Sequence, residues 1–273
     1  MGPAATAAAG VVGLAVGSFV NTFIDRWPRG QSVIAPPSRC DRCGRRLRPL
    51  EMVPVLSWIA LRGRCRTCRA PIGWQAPVVE AMTGVLFAAV AATAANGAQL
   101  MLGLGFVAVL VAVAGVDLRC QLIPDVALLT GAGWALLVNL LIPADEPAQG
   151  LATSWLRPPA VGGGGAHWAG SLGAAAVAGA VFQVLRWGSR GGLGFGDVKL
   201  AAWLGLYLGP RALPVALFAA ALLGGLVATG LLVARRRGRR DAIPFGPFLA
   251  VGGLVGWFGG EALWAAYVGV GLR

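Results

Sequence analysis

Paired carboxylates and paired thiols are the residues of this chain whose types and spacing could do chemistry. His167 is the only histidine and reads as lying on the outer side, which removes histidine-based triads and histidine-rich metal sites from the inner face. Lys199 is the only lysine, and no serine is obviously paired with it for a serine and lysine dyad. Eleven carboxylates remain. Asp117 directly follows the apolar run Phe106 to Val116, and Asp197 follows Gly194, Phe195 and Gly196 at the start of another apolar run. Both positions predict ionisable groups at a membrane boundary, where such groups are costly and default to a functional role. On position alone, plainer roles fit as well: a helix N-cap for Asp197 and a solvated helix end for Asp117. Asp125 follows Ile123 and Pro124, so an N-cap after a proline turn accounts for it without catalysis. Glu80 stands at the mouth of an apolar stretch, with an interfacial, helix-pairing or functional role open to it.

The thiols are more explicit. Cys40 and Cys43 form one C-x-x-C, Cys65 and Cys68 a second, with the 21 residues 44 to 64 between them. Each pair can sit on a tight knuckle and present two thiolates to one edge of a tetrahedron, so the spacing resembles a zinc ribbon and predicts a closed four-sulfur structural site. Arg39, Arg42, Arg64 and Arg66 are placed to stabilise the thiolates. Two disulfides would need an oxidising compartment, and four ordinary thiols would not need the paired spacing. Cys120 has no partner in sequence and reads as a buried or interfacial thiol.

The elements that must position these groups are apolar. Of 273 residues, 57% are hydrophobic and only 12% charged, whereas about a quarter are charged in a soluble domain. Eight apolar spans are expected, at 5 to 24, 77 to 96, 98 to 116, 124 to 142, 168 to 185, a short one at 198 to 209, then 212 to 234 and 246 to 269. The fold expected is an all-α polytopic membrane protein, with 42 glycines available for close helix packing. Three regions follow: a first transmembrane helix (1 to 24), a small zinc-ribbon-like domain (25 to 76) and a transmembrane core (77 to 273). The 143 to 167 stretch reads as a flexible connector.

The net charge of +12 is topological. With the N-terminus outside, all of the 23 basic residues except Arg157, Arg211 and Arg273 fall in inner loops, as the positive-inside rule predicts, and no nucleic-acid partner is needed. The cluster Arg235, Arg236, Arg237, Arg239 and Arg240 serves first as an anchor and can touch anionic lipid. The first span is not a cleaved signal peptide, since its basic residues follow the apolar run. The loose myristoylation match at Gly2 and Thr6 is discounted beside Pro3.

Taken in order, the motifs resemble those of the type IV prepilin peptidases, which share Gly-x-Gly-Asp with presenilin-like intramembrane proteases. Gly17 to Asn21 with Arg26 to Pro28, Pro54 to Trp58, Leu61 to Cys68, Pro71, Ile72, Pro77, Val79 and Glu80 are similar to the family's first-helix exit and cysteine domain. Asp117 to Arg119 with Ile123 to Asp125 match the first aspartate motif, Gly194 to Lys199 the second, and Pro244 to Pro247 the approach to the last helix. The resemblance implies a membrane-embedded aspartic endopeptidase of the cell (inner) membrane with Asp117 and Asp197 as catalytic dyad. Two nearby carboxylates at a low-dielectric boundary would share a proton, with Gly194 and Gly196 leaving room for a substrate strand. It further implies structural zinc on Cys40, Cys43, Cys65 and Cys68, substrates among type IV prepilins or pseudopilins cut at the cytosolic face, and methylation of the new N-terminus from S-adenosylmethionine. No independent methyl-donor motif is present. The alternative is a non-enzymatic transporter or assembly scaffold with a zinc docking module, for which paired broken spans or an internal repeat would be expected.

Overall fold

The computed structural model describes residues 2–141, 164–189, 192–234 and 243–271. Arg157, Arg190, Arg273, the Arg235 to Arg240 cluster and nearly all of the 143 to 167 connector lie outside the described residues, and of His167 only the helical backbone is described. The helices are α1 (Pro3–Arg26), α2 (Leu56–Ala60), α3 (Gln75–Thr93), α4 (Gly97–Cys120), α5 (Asp125–Leu141), α6 (Gly164–Gly188), α7 (Phe195–Val233) and α8 (Gly246–Gly271). They form two compact units, Met1–Ala94 and Ala95–Arg273.

In the first unit α1 packs along α3 with almost nothing between the two backbones. A Cβ on Gly13 would meet Phe87 Cβ at 2.7 Å and Gly84 Cα at 2.8 Å, and one on Gly17 would meet Glu80 Cα at 2.7 Å. Small residues thus set the approach, as expected of helices that pack in lipid. Gln75, at the start of α3, donates to Asn21 Oδ1 (2.7 Å) and Asp25 Oδ1 (3.1 Å) at the end of α1. The chain between them is short-range structure: two 3₁₀ turns (Trp27–Arg29 and Pro49–Met52), α2, and two isolated antiparallel bridges, Arg39 with Arg46 and Arg64 with Pro71.

The second unit holds α4 to α8. At ~1.5 Å per residue, the 39 residues of α7 would exceed a ~30 Å hydrocarbon core. The helix is broken at Gly209 (φ 67°, ψ −175°), a left-handed conformation suited to glycine, followed by Pro210 and Pro214. The expected spans 198 to 209 and 212 to 234 therefore lie on either side of one kink. Gly252, Gly256 and Gly260 on α8 press against Ala212, Ala216 and Ala220 of α7, while Gly205 meets Ala174 and Ala175 of α6. Phe106 of α4 sits among Trp203, Tyr207 and Trp257, and the Tyr207 hydroxyl donates to the Gly131 carbonyl of α5 at 2.6 Å.

Helices occupy all eight expected stretches, and the protein is an all-α membrane-type fold. Five of them, α1, α3, α4, α7 and α8, are long and apolar enough among the described residues to cross a membrane, and α5 is a shorter apolar helix. Eight separate crossings are not confirmed.

Candidate active site and cysteine cluster

Asp117 stands in the last turn of α4. That helix closes one turn later, where Gln121 adopts φ 55° and its N–H returns to the Asp117 carbonyl at 2.9 Å. The side chain is not a solvated helix end, being only 4% exposed, with Oδ2 accepting the Gly246 N–H at 2.9 Å. Gly246 is the first residue of α8, so an unsatisfied helix N-terminus is aimed at the carboxylate. The fit needs glycine, because a Cβ there would lie 2.7 Å from Asp117 Oδ2 and 3.0 Å from Cγ.

Asp197 is not the N-cap of α7 but its third residue, with Gly194 as cap. Its Oδ2 accepts the Gly194 N–H at 3.1 Å while its own N–H returns to the Gly194 carbonyl at 3.2 Å, a reciprocal turn that seats the carboxylate. It is 8% exposed, and Asp117 lies within electrostatic range of it. The structure thus brings the two sequence-predicted aspartates into one electrostatic neighbourhood. Each carboxylate is held through Oδ2 by one glycine N–H, and neither Oδ1 takes a hydrogen bond among the described residues. Two such groups can activate a water and protonate a carbonyl oxygen.

Some expectations about the surroundings change. The space beside Gly196 is taken by Ile123, whose Cβ would be 2.9 Å from an added Cβ, so that glycine serves packing against the α4–α5 connection. Asp125 is the first residue of α5, not the cap, because the Pro124 carbonyl accepts the Ala127 N–H at 3.1 Å. Its carboxylate instead takes Lys199 Nζ on both oxygens, at 2.8 and 2.7 Å. That partnership joins residues 74 positions apart and left no local signal. The Gly246 donor was hidden for the same reason, although the Pro244 to Pro247 motif marked the place. Glu80 is buried, with Oε2 accepting the Val55 N–H at 2.7 Å. Val55 is a β-branched residue at φ 59°, so α3 fixes a strained turn of the cysteine segment.

The four cysteines do meet: all their Sγ atoms lie within 4.8 Å of one another. Cys40 Sγ and Cys68 Sγ are 3.7 Å apart, against about 3.8 Å for a tetrahedron with ~2.3 Å zinc to sulfur bonds. The two knuckles repeat one construction. In the first, Cys40 N–H donates to Arg45 O (2.9 Å) and Gly44 N–H to Cys40 O (2.8 Å); in the second, Cys65 N–H donates to Ala70 O (2.8 Å) and Arg69 N–H to Cys65 O (3.0 Å). The Cys68 and Thr67 amides draw the Cys65 thiol down to about 6. Cys68, against the lowering pull of the Ala70 amide, is pushed up to about 11 by burial and its sulfur neighbours. Thiols that compete in this way to shed protons make a donor set that a divalent cation suits, and the cluster could hold zinc. Cys120 is half-buried and joins no such group among the described residues.

Comparison with known proteins gives the same division of the chain. Residues 11–94 match the Bacterial Peptidase A24 N-terminal domain, and residues 104–229 match the Type IV leader peptidase family. A prepilin leader peptidase/N-methyltransferase from Aeromonas hydrophila is 34% identical over 93% of this chain and 91% of its own length. The Bacillus subtilis (strain 168) protein of that name is 32% identical over 96% of this chain and 97% of its own length, and the Burkholderia pseudomallei (strain K96243) protein 36% over 92% and 84%. No solved structure matches the chain.

Proposed function

We propose that this chain, which belongs to the type IV leader peptidase family, is a membrane-embedded aspartic endopeptidase that removes the leader from type IV prepilins or pseudopilins. The observation that carries the reading is the pair of buried carboxylates, from α4 and α7, each set by one glycine amide and close enough for one charge to act on the other. Asp117 and Asp197 share one proton. The ionised carboxylate takes a proton from water as it attacks the scissile carbonyl, the other donates to the carbonyl oxygen, and the tetrahedral intermediate then collapses with protonation of the leaving amine. In this scheme the Oδ2 atoms stay anchored on the Gly194 and Gly246 amides and the Oδ1 atoms carry the proton transfer.

Cys40, Cys43, Cys65 and Cys68 would hold zinc as a structural ion, which clamps the two knuckles; four thiolates leave no vacancy for a catalytic water. The relatives' shared name also supports methylation of the new N-terminus, with S-adenosylmethionine as donor. Cleavage does not call on that cofactor. A transporter or scaffold is not favoured, because relatives matching over nine-tenths of the chain carry the peptidase name.

The orientation that suits this chemistry has the N-terminus outside, with residues 25 to 76 and both aspartates at the cytosolic side, where a basic leader would remain. Cysteine labelling from each side tests it: modification of the 25 to 76 segment from the outer face alone would overturn it. Co-expression with a candidate prepilin and mass measurement of the product's N-terminus tests the activity. Precursors left at full length by the intact protein, across a panel of type IV prepilins and pseudopilins, would end the peptidase reading.

A further inference from the structure

Lys199 and Asp125 are neither in the dyad nor far from it. Lys199 lies two residues after Asp197, as the fifth residue of α7; Asp125 opens α5, eight residues after Asp117 and separated from the end of α4 only by residues 121 to 124. The ammonium binds both oxygens of the carboxylate, at 2.8 and 2.7 Å, and also lies 4.8 Å from the centroid of the Phe195 ring. Arg186, in the last turns of α6, covers the same ring at 5.2 Å. Beside the ion pair, Ile123 fills the hollow at Gly196. Two contacts of different chemistry therefore join the α4–α5 connection to the turn that carries Asp197.

The ion pair is exposed, 36% for Lys199 and 59% for Asp125, and an exposed pair contributes little to overall stability. Its placement says more than its strength. We propose that Asp125 and Lys199 are positioning residues, a two-point brace that fixes the spacing between the segment bearing Asp117 and the turn bearing Asp197. The proposal rests on the reading of those aspartates as the catalytic pair. A dyad that shares a proton across a water is intolerant of small displacements, and ~1 Å of misplacement costs on the order of 100-fold in rate. Lys199 does not serve as a base or as a substrate contact in this scheme, because both of its strong interactions are with α5 and Phe195.

A double-mutant cycle on the full-length protein in lipid, cleaving a purified prepilin, tests the brace. Asp125→Asn and Lys199→Gln should each lower kcat by ~10-fold or more with KM within about threefold, and the double variant should be no worse than the worse single one. The exchange Asp125→Lys with Lys199→Asp should recover part of the loss; recovery is incomplete because a cation at the start of α5 opposes the helix dipole. Asp117→Asn and Asp197→Asn, made alone, report on the dyad separately: if either still cleaves, the catalytic reading fails whatever the cycle shows. With the dyad upheld, singles whose losses multiply in the double variant, losses confined to KM, or singles with unchanged kcat would each overturn the brace, whether or not the exchanged variant folds.

Discussion

The cysteine cluster and the aspartate site solve the same problem, the convergence of like groups that repel, by opposite routes. The four thiols lie within 29 consecutive residues and are set by two copies of one local turn, each with its own bridge. The two carboxylates are 80 positions apart: Asp197 is seated within its own turn by the Gly194 amide, but Asp117 takes its amide from Gly246, 129 positions away, and the two meet only once α4, α7 and α8 have packed. A closed metal site can thus be written in spacing, whereas a proton-transfer site is written in packing. The largest effect should separate the two outright. Asp117→Asn or Asp197→Asn should lower cleavage by ~1000-fold or more with about one zinc per chain retained, since the amide keeps the shape but cannot exchange the proton. Cys40→Ser with Cys65→Ser should do the reverse, removing zinc while cleavage survives at a substantial level. Metal analysis beside a cleavage assay checks both, and a double serine variant with unaltered zinc would sink the metal assignment.

The next effect sharpens the packing side of the contrast. Gly246→Ala places a methyl group 2.7 Å from Asp117 Oδ2, so the carboxylate or the start of α8 must shift. A loss of ~100-fold in kcat is expected, with zinc content and membrane insertion unchanged. An active Gly246→Ala enzyme would show that the amide contact does not set the geometry.

This contrast also accounts for what could be read from the sequence. Apolar length located every helix except the short α2, and C-x-x-C spacing located the cysteine cluster, because each depends on neighbours along the chain. The two aspartates needed the ordered motifs around them, since position alone allowed a cap and a helix end. Gly246 as donor, Ile123 against Gly196, Lys199 on Asp125 and Glu80 on Val55 all pair residues from different elements, and no local period carries such information. The kink at Gly209 was half legible: the apolar stretch was divided into spans at 198 to 209 and 212 to 234, but the continuity of α7 across Gly209 and Pro210 was not.

A smaller effect compares the two knuckles with each other. Gly44 and Arg69 occupy equivalent places, four residues after Cys40 and Cys65, at φ 68° and 57°. In that left-handed region a residue with a Cβ is strained by about 1 kcal/mol. Gly44→Ala should therefore weaken zinc retention against a competing chelator by roughly fivefold, by the same ~1 kcal/mol, while Arg69→Gly should leave it equal or stronger. Equal sensitivity to both changes would mean that the knuckles are not built alike.

The smallest effect is conditional on pH and belongs to Glu51, which ties the first knuckle to the turn that follows it. Arg45 donates to both of its oxygens, at 2.9 and 3.0 Å, and the Arg48 N–H donates to Oε2 at 2.8 Å. The Arg45 guanidinium, helped by that amide, holds the Glu51 carboxyl below its ordinary range. A carboxyl whose folded value is depressed contributes stability that is present above its unfolded value and lost as pH falls through the folded one. Glu51→Gln keeps the volume but lacks this contribution at any pH. At neutral pH the variant's 40 to 68 segment should therefore open more readily than that of the intact protein, read as faster amide hydrogen exchange in the full-length chain. The difference should shrink as pH falls below ~4.3, the ordinary value for Glu. Comparing the two proteins at each pH cancels any acid release of a bound metal, which would be common to both. A difference that stayed constant into acid would assign the effect to packing of the Glu51 side chain and not to its charge.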